Sequence, residues 1–140
     1  TIGAILHGRT GTIISAGPSD TVRKVVDLLA QNRIGAVPVV EGNSIVGIFS
    51  ERDIVRLLSS YGPEALDRSL DEVMTKSPVT CDPSMAVIGA LSQMTQKRIR
   101  HLPVVDGGRL VGFISIGDLV KYRIDRIEAE AAAMRDYIAS

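Results

Sequence analysis

The residues best placed to do chemistry in this sequence form two copies of the pattern Ser-x-x-Asp. Ser50 and Asp53 end the run "GIFSERD", and Ser115 and Asp118 end "GFISIGD". In one interpretation the serine caps a helix, and the acidic side chain three residues later bonds back to the serine. In the other, the two carboxylate oxygens accept from adjacent ribose hydroxyls, and the free amides of the helix N-terminus bind phosphate. Capping and binding are compatible, so the pattern leaves both open.

The other motifs give little support for catalysis. The sequence contains no GxSxG, no P-loop and no HExxH. His7 and His101 have no companions at metal-ligand spacing. Asp53 and Asp118 belong to separate copies and do not form an evident acid–base pair. We therefore expect no enzyme, no catalytic residues, no catalytic cofactor and no metal site.

Composition and charge narrow the class of protein further. Of the 140 residues 45% are hydrophobic, which is typical of a globular protein. Lys and Arg total 16, as do Asp and Glu, so there is no basic surplus to indicate a nucleic-acid partner. The single cysteine, Cys81, is expected to be a buried small hydrophobe, and its isolation fits a reducing compartment. No apolar run could span a bilayer and no signal peptide opens the chain, so we expect a cytoplasmic protein without a membrane partner.

The sequence contains an internal repeat. "RIGAVPVVEGNSIVGIFSERDIVRLL" (33–58) aligns without a gap with "RIRHLPVVDGGRLVGFISIGDLVKYR" (98–123), with 11 of 26 positions identical. Upstream of each, apolar residues at i, i+3, i+4 and i+7 predict a helix, roughly over 20–32 and 85–97. Each copy should therefore contain a short strand ("TIIS" or "PVTC"), this helix, two strands joined by a glycine turn, and a helix opening at the Ser-x-x-Asp pattern.

We expect an α/β fold in which two β-α-β-β-α repeats pack as a pseudo-two-fold pair with two equivalent clefts between them. The predicted boundaries are 1–60 for repeat 1, 61–76 for a linker with a short helix, 77–124 for repeat 2, and 125–140 for a helical extension. The linker resembles the N-terminal "TIGAILHG". The extension carries an apolar stripe, which either lies on its own domain or contacts a second copy: Ile124, Ile127, Ala131, Met134 and Ile138.

The doubled pattern h-P-V-V-[DE]-G-x-x-h-V-G-h-h-S-x-x-D, preceded by "EVMT", resembles a tandem pair of CBS domains, or Bateman module, in a stand-alone CBS-domain protein. The resemblance covers nearly the whole chain. It implies a regulatory module for signal transduction that binds AMP, ADP, ATP, S-adenosylmethionine or NAD(H) in the clefts. It also implies a homodimer formed through the CBS modules.

The resemblance further implies which residues contact the nucleotide. It assigns the Ser-x-x-Asp residues to ribose and phosphate, and Ser15 and Thr80 at the ends of the predicted first strands to the nucleotide. Gly117 would let a ligand approach the backbone. The apolar walls for adenine would be Val79, Ile99 and Ile114, with Ile14, Ile34 and Phe49 as counterparts, although plain core packing explains these six equally well.

The two copies differ where a phosphate would bind. Arg100 and His101 stand just before "LP" in the second copy. The first copy has Gly35 and Ala36 at these positions, which should leave room there for a bulkier group. Arginine suits phosphate, although a solvated basic edge is the alternative. We predict two unequal sites. The second would be built for phosphate; the first would be tolerant or empty, with Arg52 as its only added charge.

These interpretations lead to two hypotheses of different class. The first is a sensor in which an adenine nucleotide (AMP, ATP or NADH) shifts the packing between repeats, subunits or an unknown regulated protein. The second is an interaction module whose clefts bind no ligand. S-Adenosylmethionine is the alternative ligand.

Overall fold

The computed structural model describes residues 1–9 and 11–140. Its elements, in chain order, are α1 (Ile2–His7), α2 (Val22–Asn32), β1 (Ala36–Glu41), β2 (Ser44–Ser50), α3 (Glu51–Tyr61), a 3₁₀ helix (Gly62–Asp67), α4 (Leu70–Val73), β3 (Thr75–Lys76), α5 (Val87–Lys97), β4 (His101–Asp106), β5 (Arg109–Ser115) and α6 (Ile116–Ala139). The order helix, strand, strand, helix occurs twice. The predicted α/β fold with two repeats and a long C-terminal helix is confirmed.

In each repeat the two long strands form an antiparallel hairpin around a glycine turn. Gly42 (φ 60°) and Gly107 (φ 58°) adopt left-handed conformations there, which glycine tolerates at little cost. The register places the first residue of one strand opposite the serine that ends the other. Each hairpin therefore brings the start of one strand beside the start of the helix that follows it.

The segments "TIIS" and "PVTC" do not form the strands that the sequence predicts. Each repeat makes a single parallel bridge instead. Ala16, just after "TIIS", pairs with Val39, and Cys81, the last residue of "PVTC", pairs with Val104. Pro18 and Pro83 follow two residues later and, because proline has no amide hydrogen, end the ladder on that side. On the other side, residues 12–15 and 78–80 make no bridge either. The predicted first strands are therefore wrong beyond one residue pair per repeat.

Each repeat has its own hydrophobic core, which a short segment preceding the other repeat completes. Ile2 of α1 is fully buried in the core of repeat 2, while Leu70 of α4 is fully buried in that of repeat 1. The two segments are thus counterparts, as the sequence predicts. They are exchanged between repeats, since α1 at the N-terminus covers repeat 2 and α4 between the repeats covers repeat 1.

Two glycines make this exchanged packing possible. A Cβ at Gly112 would lie 2.5 Å from Leu6 Cδ2, and one at Gly47 would lie 2.5 Å from Met74 Sδ and 2.9 Å from the Thr75 carbonyl oxygen. A larger residue at Gly47 would push against the backbone of the covering segment, whereas at Gly112 the Leu6 side chain would have to move.

Helix α6 is 24 residues long, and after its first turns it projects away from the domain. Leu119 is fully buried, but the exposed fractions of Ile124, Ile127, Met134 and Ile138 are 49%, 50%, 60% and 75%. The apolar stripe does not lie on its own domain, so that alternative is wrong. Among the helices of residues 1–9 and 11–140, none combines the length and apolar character that a membrane span needs.

Cys81 is a buried core residue, as the sequence predicts. It packs in the core of repeat 2 with 6% of its surface exposed. Burial, with a smaller contribution from the charge of Asp82, raises the pKa of the Cys81 thiol to about 11. Because the thiolate is the reactive form, this residue is a poor nucleophile at neutral pH.

Candidate functional site

Both Ser-x-x-Asp patterns form capping boxes at helix N-termini. At α3, Ser50 Oγ accepts from the Asp53 amide at 3.3 Å, while Asp53 Oδ2 accepts from the Ser50 amide at 2.9 Å. At α6, Ser115 Oγ accepts from the Asp118 amide at 3.2 Å, and Asp118 Oδ2 accepts from the Ser115 amide at 2.7 Å. Among residues 1–9 and 11–140, no protein group donates a hydrogen bond to Oδ1 of either aspartate. Capping therefore uses one carboxylate oxygen at each site.

Each aspartate faces its own cavity, and we name the two cavities by these residues. The Asp118 cleft has a volume of about 680 Å³ and the Asp53 cleft about 300 Å³, both within the range of small-molecule sites. The Asp118 cleft combines Ser115 and Asp118 of repeat 2 with residues 11–14 and 33–36. The Asp53 cleft combines residues 50–53 and 56 of repeat 1 with residues 77–79 and 98–101. Gly35 and His101 line both clefts.

The composition of the clefts corrects the expected grouping of residues by repeat. Arg100 lines the Asp53 cleft, not the cleft of Asp118 in its own repeat. The repeats pack side by side, with the Leu110 amide donating to the Asn43 carbonyl at 2.9 Å. Each cleft consequently takes its Ser-x-x-Asp pattern from one repeat and its opposite wall from the other.

Positive charge is concentrated in the Asp53 cleft. Four arginines and two carboxylates line it: Arg52, Arg56, Arg98, Arg100, Glu51 and Asp53. Ile48, Val79 and Ile99 supply the apolar surface. Arginine pairs with phosphate oxygens through two parallel hydrogen bonds, and apolar side chains suit the faces of a flat base. This cleft can therefore hold a ligand with an anionic group, a diol and an apolar ring.

In the Asp118 cleft the carboxylate already has a cationic partner. Arg9 Nη2 lies 2.7 Å from Asp118 Oδ2, and Arg9 Nη1 donates to the Phe113 carbonyl at 3.1 Å. Burial acts to raise the pKa of Asp118, but the Ser115 amide and the Arg9 guanidinium outweigh it, so the net pKa is below the usual value. The sequence offered no motif around Arg9, which is why its contact was not predicted.

His101 forms part of the wall that the two clefts share. Its ring stacks on Phe113 with centroids 5.4 Å apart and planes at 11°. Burial lowers the pKa of His101 and Arg100 adds to this, while Asp118 and Glu51 oppose it; the net shift is downward. The imidazole is therefore mainly neutral at pH 7, and a phosphate group nearby would favour its protonation.

Gly35 provides space, but side chains of the protein fill it. A Cβ there would lie 3.3 Å from Glu51 Oε1 and 3.7 Å from His101 Cε1. Ala36 is buried at the wall of the Asp118 cleft. The room expected at these two positions is thus partly taken up by the shared wall.

Three residues expected at a ligand lie outside both clefts. Ser15 and Thr80 flank the β-bridges rather than facing the cavities, and Thr80 is exposed. Gly117 is exposed in the first turn of α6, where a Cβ would meet Ser115 Oγ at an ordinary 3.6 Å. The structure therefore places none of these three residues in the walls of the clefts.

The expected apolar walls are partly at the clefts and partly in the core. Val79 and Ile99 line the Asp53 cleft, and Ile14 and Ile34 line the Asp118 cleft. Ile114 and Phe49 are instead fully buried in the cores.

Their neighbours Phe113 and Ile48 line the clefts in their place. Alternate residues of a strand share a face, so each lies on the same face as the serine two residues later. Strand alternation could have identified them from the sequence.

Arg33 and Arg98 serve the structural purpose that their repetition suggests. Both follow a helix in left-handed conformation (φ 52° and 54°), with their amides bonded to the preceding turn. Each also lines a cleft, Arg33 that of Asp118 and Arg98 that of Asp53.

Comparison with known proteins gives the family. The CBS domain model matches residues 10–60 and 70–125. The chain is 32% identical over 123 residues to the CBS domain-containing protein YhcV of Bacillus subtilis, covering 88% of this chain and 87% of YhcV. The crystal structure of a putative signal-transduction protein with CBS domains from Burkholderia ambifaria superposes with a TM-score of 0.82 at 38% identity, covering 89% of this chain and 93% of that one.

Two more distant structures share the fold and contain ligands. CBSX2 in complex with AMP has a TM-score of 0.75 at 24% identity, covering 89% of this chain and 96% of its own. The CBS pair of MJ0100, in complex with 5′-methylthioadenosine and S-adenosylmethionine, has a TM-score of 0.78 at 23% identity with the same coverage. Such CBS pairs are regulatory modules. This chain belongs to the CBS domain family and carries a tandem pair of these domains.

Proposed function

We propose that this CBS pair is a sensor that binds a phosphate-bearing adenine nucleotide in the Asp53 cleft. The observation that carries the proposal is the combination, in one cavity, of four arginines with a carboxylate that keeps one oxygen free. Asp53 Oδ1 accepts from the ribose hydroxyls, and Arg100 with its neighbours binds the phosphate. Val79 and Ile99 contact the adenine.

Charge favours some ligands over others. The Asp53 cleft has more cationic than anionic side chains, so AMP, ADP, ATP or NADH is favoured over S-adenosylmethionine, whose sulfonium is cationic. The AMP in CBSX2 supports an adenine nucleotide in this fold, and the ligands of MJ0100 keep S-adenosylmethionine as the alternative.

The Asp118 cleft is proposed as the weaker site. It is larger, but its carboxylate is paired with Arg9 at 2.7 Å. A ribose could still bind Asp118 Oδ1, but Arg9 already partly neutralises the carboxylate, so the hydrogen bonds to ribose would contribute less binding energy there. The two sites are thus unequal, with the order of strength opposite to that expected from the sequence.

Because the Asp53 cleft lies between repeats, its ligand contacts both halves. A ligand shifts a conformational equilibrium only by its difference in affinity for the two states, and a contact spanning two halves supplies such a difference. The readout is a change in packing with a second copy or a regulated protein, in the cytoplasm. Val55 and Val120, 66% and 44% exposed at equivalent positions of α3 and α6, support a homodimer through the modules.

The second candidate is an interaction module without a ligand. The complete capping boxes favour it, because they give Ser50, Asp53, Ser115 and Asp118 a structural purpose without any nucleotide.

Thermal unfolding with adenosine, AMP, ADP, ATP, NADH and S-adenosylmethionine separates the two candidates. A ligand at about 100 times its Kd adds about 2.7 kcal/mol of stability. The sensor predicts stabilisation by at least one phosphate-bearing member and less by adenosine. A panel in which no compound raises Tm would leave the interaction module as the function.

A further inference from the structure

The exposed half of α6 has the residue spacing of a coiled coil. The apolar stripe consists of Ile124, Ile127, Ala131, Met134 and Ile138, with successive intervals of three, four, three and four residues. That alternation averages 3.5 residues, the period at which two helices keep a continuous seam. Val120, 44% exposed, continues the spacing toward the domain. The stripe is thus a seam without a partner within the described chain.

The charged residues beside the stripe indicate the orientation of a partner. With Ile124 at position a of the heptad, Arg123 and Glu130 occupy g positions, while Glu128 and Arg135 occupy e positions. In a parallel pair, each g residue faces the e residue five positions later on the other helix. Arg123 then faces Glu128 of the second copy, and Glu130 faces Arg135. Every such pair is of opposite charge.

An antiparallel pair would be repulsive. In the antiparallel register that matches the whole stripe together with Val120, Ile124 meets Met134 and Ile138 meets Val120 of the second copy. That register places Glu128 beside Glu128 and Glu130 beside Glu130, since residues of like heptad position then meet. The three ion pairs found in residues 1–9 and 11–140 involve none of these side chains, so their charges are free for a partner.

We propose that residues 124–138 of α6 pair in parallel with the same residues of a second copy. The isoleucines at a positions are β-branched, which favours two strands. Two heptads are too short to associate strongly alone, but the folded domain holds the first turns of α6 rigid. The proposal does not depend on nucleotide binding.

Parallel pairing has a consequence for the clefts. It places the N-termini of both α6 helices, with their capping boxes, at the same end of the assembly. Asp118 lies six residues before Ile124, about 9 Å along the helix axis. The two Asp118 clefts would therefore flank the beginning of the paired seam.

Single cysteines test both the contact and its direction in the full chain. Ile124→Cys and Met134→Cys are each oxidised alone, and Ala129→Cys on the opposite face is the matched control; buried Cys81 supplies the wild-type background. Parallel pairing predicts that each stripe variant forms interchain disulfides at least tenfold faster than the control. Disulfides formed only between the two variants after mixing would mean antiparallel pairing and overturn the proposal, as would rates equal to the control.

Charge reversal gives an independent test by sedimentation at several concentrations. The variant Glu128→Arg with Glu130→Arg, and separately Arg123→Glu with Arg135→Glu, should each weaken self-association roughly tenfold or more. Mixing the two variants should restore a heterodimer, with helical content checked by circular dichroism. Deleting residues 125–140 should also weaken self-association by at least tenfold. Dimers that persist unchanged after deletion would mean that the module faces alone hold the two copies together, which would overturn the pairing of α6. A trimer would overturn the two-stranded form, and a monomeric wild type would overturn pairing with a second copy.

Discussion

The two clefts are built on the same capping box but differ in what surrounds the aspartate. Asp53 faces an arginine-rich wall contributed by the other repeat, whereas Asp118 is already paired with Arg9. The difference arises at equivalent positions, since Arg100 stands where repeat 1 has Gly35. The same scaffold therefore surrounds Asp53 with four arginines and one further carboxylate, and Asp118 with two arginines, one of which is paired to it.

The largest expected effect concerns the segments that cover each repeat. Gly47→Ala should destabilise the protein by about 3 kcal/mol and Gly112→Ala by about 1 kcal/mol, the two ends of the usual range for overpacking. At Gly47 a Cβ meets the Thr75 backbone at 2.9 Å as well as Met74, whereas at Gly112 it meets only the flexible end of Leu6. Urea unfolding of both variants measures the difference, and a larger loss for Gly112→Ala would contradict the packing.

The next effect tests the charge of the Asp53 cleft. Arg100→Gln should weaken ATP binding by about 2 kcal/mol, the loss of a hydrogen bond to a charged group, and leave adenosine nearly unchanged. Arg9→Gln in the other cleft is the matched control and should not weaken ATP. Calorimetry with both ligands gives the comparison. Equal weakening of ATP and adenosine would make Arg100 a structural residue.

His101, shared by the clefts, predicts a dependence on pH. Its pKa in the folded protein lies below the usual 6.5, so the unfolded chain takes up a proton first as pH falls. The stability contributed by neutral His101 is present above about pH 6.5 and declines as pH falls through the folded pKa. Wild type should therefore lose more stability than His101→Gln between about pH 7 and pH 5. Parallel pH profiles of the two proteins would show that burial does not perturb the imidazole.

The smallest effect concerns the Arg9–Asp118 pair. Because both side chains are more than a third exposed, Arg9→Gln should change the free energy of unfolding by less than about 1 kcal/mol. It should nevertheless raise the pKa of Asp118, since the guanidinium is one of the groups that lower it. An NMR titration of the Asp118 carboxyl, compared with wild type, measures this. An unchanged pKa would mean that the pair does not persist in solution.

Features that depend on a few neighbouring residues could be predicted from the sequence. Capping at Ser50 and Ser115, the glycine turns, the helix periodicity and the long final helix all follow from patterns of a few residues. The predicted first strands were wrong because strand pairing depends on a distant hairpin, and only Ala16 and Cys81 form a bridge with it.

Local sequence patterns could not predict which residues line each cleft. Arg100 faces Asp53 only because two repeats pack side by side, and Arg9 reaches Asp118 only because the N-terminal segment crosses to the other repeat. The apolar walls could be predicted in part. If Ser115 faces the cleft, strand alternation places Phe113 on the same face and Ile114 on the opposite one.

The most direct test of nucleotide binding in the Asp53 cleft is calorimetric titration of ATP into Asp53→Asn and Asp118→Asn side by side. Asparagine can keep the capping hydrogen bond to the serine amide, but it offers only one acceptor oxygen, so it cannot also receive ribose hydroxyls. Binding in the Asp53 cleft predicts at least tenfold weaker affinity for Asp53→Asn and nearly unchanged affinity for Asp118→Asn. Weakening confined to Asp118→Asn would contradict it and place the nucleotide in the Asp118 cleft.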